Sequence, residues 1–111
     1  MPGVPELSPL QFAARWPDFA SGEDVVLLDV REHDELEIAA VAGARHIPMR
    51  DVPARLAELD ADKPLVVMCH LGGRSRRVAE YLAANGFTKV FNLGGGIDSW
   101  STQLDSQIPR Y

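Results

Sequence analysis

Cys69 is the only cysteine in the chain, and the residues around it could make it reactive. It follows an apolar run, Leu65 to Met68, and precedes His70, Leu71, Gly72, Gly73, Arg74 and Ser75. The run has no polar side chain to expose, which suits an interior strand of a parallel sheet. Gly72 and Gly73 free the backbone to curl tightly, and Ser75 is expected to cap a following helix. A concave curl at a helix N-terminus turns several backbone N–H groups inward, where they favour an anion. Arg74 adds a fixed positive charge. A thiol in such a cradle favours its thiolate, the nucleophilic form. These residues read as a loop whose cysteine attacks sulfur in an anionic substrate, with Arg74 supporting the substrate or the loop.

The other chemistry-bearing residues read more modestly. Asp29 and Arg31 stand at the carboxyl end of a second apolar run. A structural ion pair or backbone clamp beside the loop is favoured for them over direct substrate contact. His70 has two open readings: a hydrogen-bond donor to substrate or thiolate, or an exposed bystander. Arg76 and Arg77 are expected on a solvated helix face, paired with Glu80. Histidines at 33, 46 and 70 with one cysteine offer no metal-ligand spacing, so neither a metal nor a cofactor is expected.

The elements that must position these groups alternate along the chain. Ser8-Pro9 opens a helix with Leu10, Ala13 and Ala14 on one face, ending near Trp16-Pro17. Val25 to Val30 reads as a buried strand, His33 to Ala40 as a short helix, and His46-Ile47-Pro48 as a short strand ended by proline. Asp51 is expected to cap a helix carrying Val52, Leu56 and Leu59. A helix over Ser75 to Asn85 carries Val78, Ala79, Leu82 and Ala83 in one stripe, and Gly86 stops it. Val90 to Leu93 is a further strand. Gly94 to Gly96 then turns the chain into a last helix through Trp100. Trp16 and Trp100 read as core residues. The fold class is α/β: a small parallel sheet of about four to five strands with helices on both faces. Such sheets bind ligands outside the carboxyl ends of their strands, which puts Cys69, Asp29 and Arg31 on one edge.

At 111 residues, 46% hydrophobic and 24% charged, residues 1–111 read as one globular domain able to bury a core without disulfides or metal. A net charge of −5 argues against nucleic-acid or membrane-surface partners. One cysteine excludes an internal disulfide, so any resolving thiol comes from another molecule. The N-terminal stretch from Met1 to Glu6 lacks the basic and apolar regions of a signal peptide. No apolar run approaches the roughly 20 residues of a membrane span, and a soluble cytoplasmic protein is expected.

Leu28-Asp29-Val30-Arg31-Glu32, Gly43 to Pro48, Lys63 to Cys69, Gly73-Arg74-Ser75, Gly86-Phe87, Leu93 to Gly96 with Trp100, and Pro109-Arg110-Tyr111 occur in an order that resembles a single-domain rhodanese, a thiosulfate or persulfide sulfurtransferase. The ordered set, with cysteine in the loop, carries the resemblance. It implies that Cys69 accepts a sulfane sulfur as a persulfide and passes it to a nucleophilic acceptor. In that family the loop from Cys69 through Arg74 cradles the persulfide, and Arg74 helps hold the anionic substrate. The implied partners are a small anionic sulfur donor and a thiol or cyanide acceptor; a sulfur-relay protein is a further partner the resemblance allows. One departure stands out: the family often reads Gly-His-Ile where this chain has Ala39, Ala40 and Val41. A carrier or regulatory relay module is the alternative function. A cysteine phosphatase or arsenate reductase is disfavoured, because such loops typically place five residues between cysteine and arginine. Here four intervene, which leaves room for a sulfur atom but little for a tetrahedral phosphate.

Overall fold

The computed structural model describes residues 3–111; Met1 and Pro2, part of the N-terminal stretch read above for a signal peptide, lie outside the described residues. Among the described residues five strands form one sheet: β1 (Glu6–Leu7), β2 (Val26–Asp29), β3 (Arg45–His46), β4 (Leu65–Met68) and β5 (Val90–Leu93). Their order is β1-β5-β4-β2-β3, and every neighbouring pair is parallel. The helices are α1 (Pro9–Arg15), α2 (His33–Ile38), α3 (Gly73–Ala84) and α4 (Gly96–Gln103). The fold is thus the α/β class expected from the alternating pattern. No helix among the described residues is long and apolar enough to cross a membrane.

The two-residue periodicity of a strand divides the core into two layers. On β4, Leu65 and Val67, followed by Cys69, point to the side occupied by Val78, Ala79 and Leu82 of α3. Val66 and Met68 point to the opposite side, against Phe12 of α1 and Ile97 and Trp100 of α4. β2 divides the same way, with Leu28 and Val30 on the first face and Val25 and Leu27 on the second. All four β4 residues are buried because helices cover both faces. Each large aliphatic side chain buried here contributes about 1.5–3 kcal/mol. Trp16 and Trp100 lie in the second layer, where Phe12 meets both rings at 5.6 and 5.7 Å between centroids.

Several local expectations are corrected. β1 does not show in the sequence pattern, because it is two residues long and carries Glu6. It exists through its neighbour: the Asn92 and Gly94 N–H groups donate to the Pro5 and Leu7 carbonyls at 2.9 and 2.8 Å. On α1 the cap at Ser8 forms with a reciprocal Gln11 bond, but the buried face is Pro9 and Phe12, while Leu10 is exposed. The helix expected after Asp51 is instead two 3-10 stretches, Met49–Asp51 and Pro53–Glu58. Arg55 leaves helical geometry at φ −118° and ψ 19°, which breaks the run one turn after it starts. Ser75 is not the cap of α3. The helix begins at Gly73, with Gly72 as its left-handed N-cap at φ +109°. Arg76 pairs with Glu6 of β1 rather than Glu80.

Candidate active site

Cys69 leaves the carboxyl end of β4 and is 1% exposed. The Gly72 N–H donates to Cys69 Sγ at 3.1 Å, which closes the loop on the thiol. Beyond it, Gly73, Arg74 and Ser75 form the first turn of α3, whose N–H groups have no carbonyl one turn back within the helix. The cysteine thus faces a helix N-terminus carrying partial positive charge.

Two elements hold this loop from behind. The first turn of α4 supplies N–H donors from Ile97 to the Cys69 carbonyl at 2.9 Å and from Asp98 to the His70 carbonyl at 3.2 Å. That approach requires Gly96, at φ +58°, since a Cβ there would overlap both carbonyl oxygens. β5 supplies Asn92, which is buried. Its Oδ1 accepts from Ser75 Oγ at 2.6 Å, and its Nδ2 donates to the Gly72 carbonyl at 3.2 Å and to Glu6 Oε2 at 3.1 Å. Ser75 is fully buried and acts on the loop through this bond.

At the end of β2, Asp29 is in register with Met68, which places it beside the loop. Arg31 is completely buried and donates to both Asp29 oxygens, with Nη2 to Oδ2 at 2.7 Å. It also donates to the carbonyls of Glu35 at 3.3 Å and Ala39 at 2.8 Å, tying the pair to α2 and the segment after it. Burial opposes the Arg31 cation, but its hydrogen bonds to Asp29 and Tyr111 outweigh it and favour the charged form. His46 Nε2 donates to the Arg31 carbonyl at 2.6 Å.

Arg74 sits where the loop becomes helix, and its guanidinium is already engaged. Nη1 and Nη2 donate to the two oxygens of Glu35 at 2.7 and 2.8 Å, a bidentate pair. Glu35 also accepts from the Glu32 N–H at 2.9 Å, as the far half of the α2 capping box, and from the Tyr111 hydroxyl at 2.9 Å. The Arg74 bonds hold the Glu35 carboxyl at about 2, well below its ordinary value, against the opposing effect of burial. The Glu35 contact in turn raises Arg74. The cation offered to a substrate by the sequence is therefore first of all an anchor between α3 and α2. Leu71 projects from the loop and is 62% exposed.

The structure gathers Cys69, the loop to Ser75, Asp29 and Arg31 at one sheet edge. It adds three residues that sequence reasoning did not single out: Glu35, Asn92 and Tyr111. Glu35 had a signal in the Glu32–Glu35 capping spacing, and Asn92 in being the one polar residue of the run Val90 to Leu93. Tyr111 had no signal of its own as a site residue, although it stood in the matching terminal segment.

A family model described as a Rhodanese-like domain matches residues 18–103. A Rhodanese-like/PpiC domain-containing protein 12 of Arabidopsis thaliana is 39% identical over 93 residues; the alignment covers 80% of this chain and 31% of that protein. The chain thus spans about a third of that longer relative. The thiosulfate sulfurtransferase GlpE of Ectopseudomonas mendocina is 32% identical over 85 residues, covering 77% of this chain and 78% of that protein. Among solved structures, a Rhodanese-like domain protein from Staphylococcus aureus superposes with a TM-score of 0.80 at 25% identity, over 97% of this chain and 99% of the other.

Proposed function

The chain belongs to the rhodanese-like family, and on that premise we propose that it is a sulfurtransferase working through a persulfide on Cys69. The observation that carries this reading is the cysteine itself: buried at the end of β4, against the N-terminus of α3, with Sγ accepting the Gly72 N–H at 3.1 Å. The donor is thiosulfate or a small persulfide, and the acceptor is a thiol or cyanide. In the first half-reaction the Cys69 thiolate attacks the outer sulfur of the donor. A Cys69–sulfur bond forms, the donor's sulfur–sulfur bond breaks, and its electron pair leaves with sulfite or a thiolate. In the second half-reaction the acceptor attacks the terminal sulfur, and the bond electrons return to Cys69. This is covalent, ping-pong chemistry.

The first-turn N–H groups of α3 stabilise the negative charge on the incoming and departing sulfur. Arg74, held by Glu35, fixes the start of α3 and contributes its charge to the field around the cysteine. Asp29 and Arg31 keep the neighbouring strand end and α2 in place. The loop's four-residue interval between Cys69 and Arg74 fits one sulfur atom better than a phosphate.

The deciding experiment is the intact mass of purified protein after brief incubation with thiosulfate, and again after excess cyanide. The expected result is a gain of about one sulfur atom that cyanide removes, as covalent transfer requires. An unchanged mass with both thiosulfate and a persulfide donor would overturn the mechanism.

A further inference from the structure

Tyr111 lies beyond the residues matched by the family model, yet it touches the active-site loop at His70 and, at Glu35, the carboxylate that holds Arg74. Its ring stacks on the His70 imidazole, with centroids 3.9 Å apart and planes 8° from parallel. Its hydroxyl accepts from Arg31 Nη1 at 2.9 Å and donates to Glu35 Oε1 at 2.9 Å. Glu35 in turn holds Arg74. One phenol therefore links the residue after the cysteine, through Glu35, to Arg74 in the first turn of α3. The segment that brings it there is secured at two places. Ser101 Oγ donates to the Ile108 carbonyl at 2.6 Å, and Arg110 Nε donates to Asp98 Oδ1 at 2.9 Å. Asp98 is the same residue whose N–H holds the His70 carbonyl.

The His70 ring is thus fixed at both its backbone and its face. Its Nε2 is nevertheless buried with no hydrogen-bond partner among the described residues. Buried polar atoms are nearly always satisfied, and an exception in a reactive loop calls for a partner that arrives with the reaction. A hydrogen-bond donor next in sequence to the nucleophile suits an anionic oxygen or sulfur of the donor molecule. A tyrosine ring stacked at 3.9 Å permits only a narrow range of imidazole tilt.

Resting on the sulfur-transfer reading, we propose that Tyr111 is a positioning residue: it orients His70 so that Nε2 binds the anionic sulfur donor and its leaving group. The test compares single-turnover loading of Cys69 from thiosulfate, followed by intact mass, in wild type, Tyr111→Phe, Tyr111→Leu, His70→Ala and the Tyr111→Leu/His70→Ala double variant. Tyr111→Leu should load about threefold to tenfold more slowly, the range an aromatic pair of this kind supports. Tyr111→Phe, which keeps the stack, should recover most of that loss. His70→Ala should be at least as slow as Tyr111→Leu, and the double variant no slower than His70→Ala, since both substitutions remove one device. Alkylation of Cys69 by iodoacetamide, a neutral reagent, should change less than twofold across the set. The upfield ring-current shift of the His70 ring protons should persist in Tyr111→Phe and vanish in Tyr111→Leu.

Additive losses in the double variant, or equal losses toward iodoacetamide and thiosulfate, would make Tyr111 a general support of the loop and overturn the proposal. Wild-type loading that Tyr111→Leu and His70→Ala leave untouched would overturn it alone. A wild type that loads from neither thiosulfate nor a persulfide would remove the sulfur-transfer reading and this inference together.

Discussion

Replacing Glu35 by Gln tests how much of the site rests on one carboxylate. The side chain keeps its size and one acceptor oxygen, but loses the charge that binds both Arg74 nitrogens at 2.7 and 2.8 Å. Holding a carboxyl at about 2 rather than its ordinary 4.5 favours the native state by up to about 3 kcal/mol when the group is ionised. Arg74 is one-third exposed, so solvent screening reduces this to about 2 kcal/mol. Because the native value is depressed, this stability is complete above 4.5 and is lost as pH falls toward 2. Urea unfolding followed by the fluorescence of Trp16 and Trp100 measures it. Wild type should exceed Glu35→Gln by about 2 kcal/mol at neutral pH, with no change down to pH about 5.5. The gap should then close to less than about 0.5 kcal/mol near the native value of about 2. A gap that stays constant from neutral pH to acid would refute the assignment of this stability to the Glu35–Arg74 charge pair. A variant as stable as wild type at neutral pH would refute the role of the pair altogether.

Other expectations follow from the same contacts. Arg31→Ala strands Asp29 as a buried, unpaired carboxylate and removes the ties to Glu35, Ala39 and Tyr111; it should cost about 3–5 kcal/mol in urea unfolding, and a loss below about 1 kcal/mol would contradict the buried-pair account. Gly96→Ala meets an unfavourable backbone conformation, worth about 1–2 kcal/mol, and a Cβ that would overlap the Cys69 and His70 carbonyls. It should slow sulfur loading as well as lower the unfolding midpoint, and normal loading would show that α4 does not set the loop. Cys69→Ser is nearly isosteric, so it should unfold within about 1 kcal/mol of wild type while gaining no sulfur mass. Any cyanide-labile mass on the serine variant would remove Cys69 from the chemistry.

The reactive loop was readable because its signals are local. An apolar run, a lone cysteine, two glycines and an arginine stand within a few residues, and each constrains the backbone by its own chemistry. The same holds for the Ser8-Pro9 helix start and the turn at Gly94 to Gly96. Elsewhere the tertiary fold overrides local preference. Ser75 has the chemistry of a cap, but the glycine before it takes the left-handed position and Asn92 claims the hydroxyl inside the fold. Leu10 looked like a core residue on α1, yet the helix faces the second layer through Phe12. The helix expected after Asp51 breaks at Arg55 and leaves 3-10 stretches.

What the sequence determined by itself was the alternation of strands and helices, the sheet edge that carries Cys69, and that Cys69 is the chain's one thiol. These depend on periodicity and on neighbours a few positions apart. The tertiary structure alone decided what Arg74 holds, what Asn92 joins, and what covers the face of His70. Glu35 lies 39 positions from Arg74, and Tyr111 lies 80 from Arg31. Such separations leave no periodic trace in the chain. The bonds exist because parallel crossovers bring the ends of β2, β4 and β5 to one edge, where polar and charged side chains withdrawn from water must find one another.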